Sequence, residues 1–137
     1  MQKHKTALSP HCQNVLAALK KSSVPLSAYA LLEKLQKFGI KAPPTVYRAL
    51  DTLMERGLVH RIESLGAFIA CHDHDDKNAH AQFMVCTGCK TVEEIHDNQL
   101  TMGIRKLAAS LKFHVEREML EIMGLCSKCS PSSHKKA

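Results

Sequence analysis

Two Cys-x-x-Cys pairs, Cys86/Cys89 and Cys126/Cys129, contain four of the six cysteines in this chain. Each pair can place two thiolates on one turn, which supplies half of a tetrahedral zinc site with Zn–S bonds of about 2.3 Å. Two pairs together make a closed four-thiolate site, which stabilises a fold and leaves no coordination position open for catalysis. The spacing therefore predicts a structural zinc site, with a redox-active dithiol as the alternative interpretation.

The two pairs are separated by 36 residues, more than the roughly 15 to 20 that separate the pairs of a compact zinc ribbon. A metal bound by both pairs would therefore hold a whole folded segment against the end of the chain. No secretory signal is evident, and paired cysteines in a reducing compartment favour metal over a disulfide.

A second group of potential ligands lies around the middle of the chain. His60 falls in a predicted strand and Cys71 ends the next, so hairpin pairing would bring them together, and His80 and Glu94 follow. Two imidazoles, one thiolate and one carboxylate would bind zinc more weakly than four thiolates. Such a site at a junction between domains suits a metal sensor, because its occupancy would follow free metal. Alternatively, the histidines are solvated loop residues and Cys71 is a small buried hydrophobe.

Three helices and a hairpin are expected to carry the first part of the chain. The helices span about 9–22, 27–39 and 43–57, and the strands 58–62 and 67–71, which is the order of a winged helix-turn-helix. The apolar positions expected to face the core are Val15, Leu16, Leu19, Leu31, Leu32, Leu35, Val46, Ala49, Leu50, Leu53 and Met54. Cys12 is expected to be a small buried residue of the first helix.

The second part of the chain is expected to form a small α/β domain. Strands 82–86 and 91–95 would carry the first cysteine pair at their turn, followed by a helix over 98–112 and a strand over 115–123. The predicted core face of that helix comprises Leu100, Ile104, Leu107, Ala108 and Leu111. The fold class is therefore α+β, with a winged-helix domain in 1–70, a hinge loop in 71–79, a small α/β domain with the four-cysteine site in 80–129, and a disordered tail in 130–137.

The net charge of +6 is carried entirely by the first half. Residues 1–64 contain ten Lys/Arg and four Asp/Glu, whereas residues 65–137 contain nine of each. A basic module joined to a neutral one favours nucleic acid as the partner of the first half. No apolar run approaches the roughly 18 residues that span a bilayer, so a cytoplasmic protein with no membrane partner is expected.

The third helix is the predicted reader of DNA. Its polar face presents Tyr47 and Arg48, and Arg48 could bond a guanine in the major groove. Thr45 and the free backbone N–H groups of the first turn suit a phosphate, and Lys41 and Arg61 would add backbone contacts. The alternative is a solvated helix face with ordinary charges.

These residues resemble the Fur family of bacterial metal-responsive repressors, and within it the zinc uptake regulator (Zur) subgroup. The most specific stretches are Pro43–Asp51 and Gly57–Ser64, and Cys71-His72 and both cysteine pairs keep the family order. The resemblance covers about residues 8–129. It implies a homodimer formed through the C-terminal domain, whose zinc-loaded form represses zinc-uptake genes.

The resemblance also implies roles for individual residues. Cys86, Cys89, Cys126 and Cys129 match the structural zinc ligands, Tyr47 and Arg48 match the base-contacting pair, and His60, Cys71 and Glu94 match three regulatory ligands. The fourth regulatory ligand is expected at position 79, which is Ala79 here. Its neighbour His80 is assigned instead, with His74 and His72 as alternatives.

A zinc-responsive repressor is therefore the expected function. An iron- or peroxide-responsive regulator is less favoured, because Ala81, Gln82, Phe83 and Glu118 occupy the neighbourhoods of the iron-type ligands. No nucleophile with a base and an orienting group is evident, so the chain is not expected to be an enzyme. A thiol oxidoreductase using Cys86/Cys89 and a zinc-stabilised protein-interaction module are the rival functions.

Overall fold

The computed structural model describes residues 7–71 and 80–130. The chain divides into two compact units, Met1–Asp76 and Lys77–Ala137. Apart from Cys71, the predicted hinge loop, with His72 and His74, lies outside the described residues, as does nearly all of the predicted tail. Among the described residues, no helix has both the length and the apolar character that crossing a membrane requires.

Three helices form the body of the N-terminal unit. Helix α1 spans Pro10–Lys21 and α2 spans Ala28–Leu35, and Ser9 and Ser27 cap their N-termini through their side chains. A 3₁₀ turn, Gln36–Phe38, extends α2 and ends at Gly39, whose φ of 85° favours glycine. Helix α3 spans Pro43–Glu55. All three helices agree with the sequence prediction.

A two-stranded wing completes this unit. Strand β1 (Val59–Ile62) pairs antiparallel with β2 (Ala67–Ala70). Leu26, before α2, exchanges backbone hydrogen bonds of 3.0 and 2.8 Å with Phe68, a bridge that the sequence did not predict. The core is one cluster contributed by all three helices and the wing, which confirms the winged helix-turn-helix. Cys12 is buried in that cluster, as expected.

A three-stranded sheet and one helix form the described part of the C-terminal unit. Strand β3 (His80–Cys86) lies between antiparallel β4 (Val92–Glu94) and parallel β5 (Glu118–Gly124). Helix α4 spans Asn98–Ser110 and is capped by the Asp97 side chain. Gln82 of β3 donates to the Thr101 hydroxyl of α4 at 2.9 Å, which places α4 over the Gln82 face of the sheet.

The structure corrects the prediction that α4 has a face buried in the core of its own unit. The helix exists where the periodicity placed it, but none of its residues is buried, and Leu107 and Leu111 are 63% and 70% exposed. The apolar spacing identified a face that needs a partner and could not identify which surface covers it. The boundary of the last strand also shifts, because the structure begins it at Glu118 rather than at about Val115.

Candidate metal centres and nucleic-acid interface

The four cysteines of the two pairs converge in the C-terminal unit. Cys86 ends β3, Cys89 lies in the turn before β4, and the second pair follows β5. Because β3 and β5 are parallel neighbours, their carboxyl ends bring both pairs to the same edge of the sheet. The four sulfur atoms all lie within 4.8 Å of one another. Within 7–71 and 80–130, no other four potential metal ligands come this close together.

The sulfur geometry of this cluster fits a tetrahedral zinc ion. The Sγ atoms of Cys89 and Cys126 are 3.8 Å apart, and a tetrahedron with Zn–S bonds of about 2.3 Å separates its sulfurs by roughly 3.8 Å. The backbone N–H groups of Cys89 and Cys126 both donate to Sγ of Cys86 at 3.4 Å. Such donors stabilise a thiolate, which is the form that binds the metal.

Hydrogen bonds within the cluster give its thiols different pKa values. The N–H donors from Cys89 and Cys126 lower the pKa of Cys86 to about 6. The pKa of Cys89 is also lowered, chiefly by the Thr91 hydroxyl at 3.0 Å. The pKa of Cys129 is raised to about 12, because the other sulfurs, Cys126 first, act on it as acceptors. Without a cation, this cluster therefore cannot hold four thiolates at neutral pH.

The backbone around the cluster explains the residue types between the cysteines. Thr87 N–H donates to the Gly124 carbonyl at 2.8 Å, which ties the first turn to the end of β5. A Cβ on Gly88 would meet both Cβ and Sγ of Cys129 at 3.1 Å, so glycine permits the close approach of the two pairs. This arrangement lies in a strand-to-strand turn, whereas a redox dithiol is expected at the start of a helix.

The wing brings together the first two residues of the second predicted metal group. Cys71 directly follows β2, and its N–H donates to the Leu58 carbonyl at 2.8 Å. Residues 58 and 60 lie on the same side of the hairpin, so Sγ of Cys71 comes within 4.8 Å of a ring nitrogen of His60. Cys71 is 5% exposed and His60 is half-buried. A soft thiolate beside an imidazole is a donor pair suited to zinc.

The remaining predicted members of that group lie in the C-terminal unit. Glu94 is the last residue of β4, its side chain is 17% exposed, and its carboxylate lies 3.2 Å from the His96 ring. His80 is the first residue of β3, but its side chain lies outside the described part of the structure. The assignments of Glu94 and His80 as ligands therefore stay predictions.

The exposed face of α3 carries the predicted DNA-reading residues. Tyr47 is 46% exposed and Arg48 is also exposed, while the opposite face packs into the core through Val46, Ala49 and Leu50. The Arg48 guanidinium has no hydrogen-bond or salt-bridge partner among the described residues. An exposed guanidinium without a protein partner is available to a base edge or a phosphate.

The expected phosphate contacts need one correction. Residues 43 and 44 are prolines without N–H groups, and the Thr45 N–H donates to the Ala42 carbonyl at 3.1 Å. The first turn of α3 therefore offers fewer free backbone donors than the sequence predicted, which leaves the Thr45 hydroxyl for that role. Lys41 is exposed, and Arg61 is exposed on β1 but lies 3.5 Å from the Glu63 carboxylate.

Tyr29 is a surface residue that the sequence analysis did not single out. It lies in the first turn of α2 and is 68% exposed. In a helix-turn-helix, the helix before the recognition helix crosses the DNA backbone, so an exposed tyrosine here can reach the duplex. The signal available in the sequence was an aromatic residue two positions after the Ser27 cap, outside the apolar spacing of the helix.

Comparison with known proteins decides the family. The ferric uptake regulator family model matches residues 4–123, nearly the whole chain. This chain belongs to the ferric uptake regulator family. The zinc uptake regulation protein of Escherichia coli strain K12 is 35% identical over 123 residues, which is 89% of this chain and 72% of that relative. The membership makes the chain a relative of transcription regulators and agrees with the resemblance found in the sequence.

Solved structures within the family have the same fold. A zinc uptake regulator complexed with zinc and DNA matches with a TM-score of 0.87 and 32% identity, covering 96% of this chain and 88% of that one. The crystal structure of holo XcZur matches with a TM-score of 0.84 and 37% identity, covering 93% and 89%. These family members therefore align with both units of this chain.

Proposed function

We propose that this protein is a zinc-responsive transcriptional repressor that binds operator DNA as a zinc-loaded homodimer and represses zinc-uptake genes. The observation that carries this proposal is the presence of two separate sulfur-containing donor groups in a Fur-family chain. One is a closed cluster of four cysteines, and the other is the His60–Cys71 pair at the wing. A permanent metal and a sensed metal require such a division.

The four-cysteine cluster is proposed to hold structural zinc, which stabilises the C-terminal unit. The regulatory zinc is proposed to bind His60, Cys71, Glu94 and His80. Since imidazole and carboxylate replace thiolates there, that zinc is bound more weakly and exchanges with the free pool. When bound, regulatory zinc supplies a cross-link among these side chains, which come from the wing and from β3 and β4.

Tyr47 and Arg48 are proposed to contact bases, and Thr45, Lys41 and Arg61 the phosphate backbone. A dimer would place two recognition helices on half-sites separated by the helical repeat of DNA. The exposed apolar side chains of α4 support dimerisation through the C-terminal unit. The proposed division is 1–70 for DNA binding, 71–79 for the hinge, 80–129 for zinc and dimerisation, and 130–137 for the tail.

A DNA mobility-shift titration against buffered free zinc, iron and manganese tests the function. Binding to zinc-uptake promoters should require zinc and should not be restored by iron or manganese. Iron dependence would favour the iron- or peroxide-responsive alternative, and metal-independent binding would refute the sensor. We propose a cytoplasmic location and a regulatory rather than an enzymatic role.

Two cysteine variants separate the proposed metal sites. Cys71→Ser should abolish the zinc response of DNA binding while the C-terminal unit keeps its fold and its structural zinc. Cys89→Ser should unfold that unit. Equal effects of the two substitutions on folding would contradict the division into structural and regulatory sites. Metal-free purified protein with a reversible disulfide would favour the thiol oxidoreductase.

A further inference from the structure

The His96 imidazole lies against the carboxylate that is proposed to bind regulatory zinc. Its Nε2 atom is 3.2 Å from Oε2 of Glu94, within hydrogen-bond range. The Glu94 side chain is 17% exposed and that of His96 is 48% exposed. The contact lies entirely within the C-terminal unit, so it depends on that unit's own backbone.

That backbone is anchored on both sides of residue 96. The Ile95 N–H donates to the Gln82 carbonyl at 2.8 Å, which extends the pairing of β4 with β3. The Asp97 side chain accepts from the Gln99 N–H at 2.8 Å and so fixes the start of α4. In extended backbone, residues two apart project to the same side. The imidazole is therefore held beside Glu94 by two regular elements.

We propose that His96 is a positioning residue for Glu94 and sets the zinc concentration at which the regulatory site fills. Its Nε2–H donates to Oε2 of Glu94 and so fixes the orientation of the carboxylate. This inference rests on the proposed function, in which Glu94 is a regulatory ligand. A carboxylate that is already oriented loses less conformational freedom when the metal binds, which increases affinity.

The size of the effect follows from the behaviour of outer-shell groups. Removing a hydrogen-bond partner of a metal ligand weakens metal affinity by roughly 10–100-fold. The inner ligands remain, so the number of bound zinc ions at saturation should not change. The affinity of the zinc-loaded protein for DNA should not change either, because His96 is in the C-terminal unit and the proposed DNA contacts are in the N-terminal unit.

Zinc affinity measured by competition with a chromophoric chelator tests this inference on the full-length protein. His96→Ala should weaken the second zinc equivalent by roughly 10–100-fold. His96→Gln should restore most of the affinity, because its amide N–H can take the place of the Nε2–H. His114→Ala is the matched control, since His114 is an exposed histidine of the same unit without a part in this contact, and it should leave the affinity unchanged.

A double-mutant cycle identifies the route of the effect. If His96 acts through the carboxylate, His96→Ala should cause little further loss in a Glu94→Gln background. Independent, additive losses would overturn the inference. Loss of the second zinc at saturation in His96→Ala would make His96 a ligand and would also overturn it. A wild-type protein that binds only one zinc refutes the proposed function, whereas two zinc ions with no shift in His96→Ala refute this inference alone.

Discussion

The two units differ in how they cover their apolar side chains. In the described part of the N-terminal unit, nineteen apolar residues are buried and three large ones are exposed. In the described part of the C-terminal unit, three apolar residues are buried and nine large ones are exposed. Those nine are Met84, Met102, Leu107, Leu111, Phe113, Met119, Ile122, Met123 and Leu125.

This difference indicates two sources of stability. The described residues of the N-terminal unit share one contiguous core, which they bury among themselves. The described C-terminal residues bury too little apolar surface to be stable by packing alone, and small units of this kind rely on metals or oligomerisation. The four-cysteine cluster and a second copy of the chain are the two partners that this unit is proposed to use.

Removing one sulfur ligand should produce the largest effect. Cys126→Ala should release the structural zinc and unfold the C-terminal unit, since structural zinc contributes on the order of 10–16 kcal/mol in zinc-finger peptides. Hydrogen exchange should then lose protection across 80–130 and keep it across α1–α3. Cys12→Ala is the matched control, because Cys12 is buried in the other unit and should cost only about 1 kcal/mol. Retained protection in 80–130 would contradict the zinc dependence.

A charge on the exposed face of α4 should separate the dimer. Leu107 is 63% exposed, and burying a leucine contributes about 1.5–3 kcal/mol. Since each substitution occurs twice in a dimer, Leu107→Asp should weaken dimerisation at least ~100-fold, as measured by sedimentation velocity. Tyr29→Asp changes an equally exposed residue of the other unit and should leave the dimer intact. A dimer that survives Leu107→Asp would place the interface elsewhere.

A methyl group inside the cysteine cluster should have a smaller but measurable effect. Gly88→Ala brings its Cβ to 3.1 Å from Cβ and Sγ of Cys129, so Cys129 must shift slightly. Overpacking of about 1–3 kcal/mol should lower zinc affinity by about 10-fold or more. Gly103→Ala meets nothing within 4 Å in α4 and should stabilise the helix by about 0.5–1 kcal/mol. Equal zinc affinity in the two variants would show that the pairs do not need this close approach.

The pH dependence of structural zinc binding should reveal the smallest difference. Protons compete with zinc for thiolates, so affinity falls as pH falls. Above the pKa of Cys86, about 6, that thiol costs no proton when zinc binds. Below it, one more proton must leave, and the slope of log affinity against pH should steepen by about one. Isothermal titration in buffers of different ionisation enthalpy measures this count, and a constant slope through pH 6 would contradict the assignment.

Local patterns predicted the N-terminal unit well. Caps such as Ser9 and Ser27, the prolines at α3 and the 3.6-residue spacing each specify a feature within one element. The contact of His60 with Cys71 was predictable for the same reason, because a hairpin fixes which residues are neighbours. The bridge of Leu26 to Phe68 was not predictable, because a single long-range pair leaves no periodic signal.

The helix and strands of the C-terminal unit were predicted correctly, but the exposure of their apolar side chains was not. The spacing of Leu107 and Leu111 identified a helix face correctly, but the spacing does not state whether that face meets the same chain or another one. The role of Glu94 stays a prediction, and its contact with His96 was missed because a short strand gave no reason to compare residues two apart. The four cysteines were the exception, since metal spacing is a local signal with a long-range consequence.

The bridge between Leu26 and Phe68 has a consequence for how DNA binding can be switched. Its two hydrogen bonds, of 3.0 and 2.8 Å, attach the wing to the segment that precedes α2. Together with the core that α3 and the wing share, this bridge holds the backbones of α3 and the wing in a fixed arrangement as long as the unit is folded. The DNA-binding surface of this unit is therefore preformed, and its internal arrangement does not change. A regulator built this way changes the position and the angle at which this surface meets DNA, and does not change the surface itself.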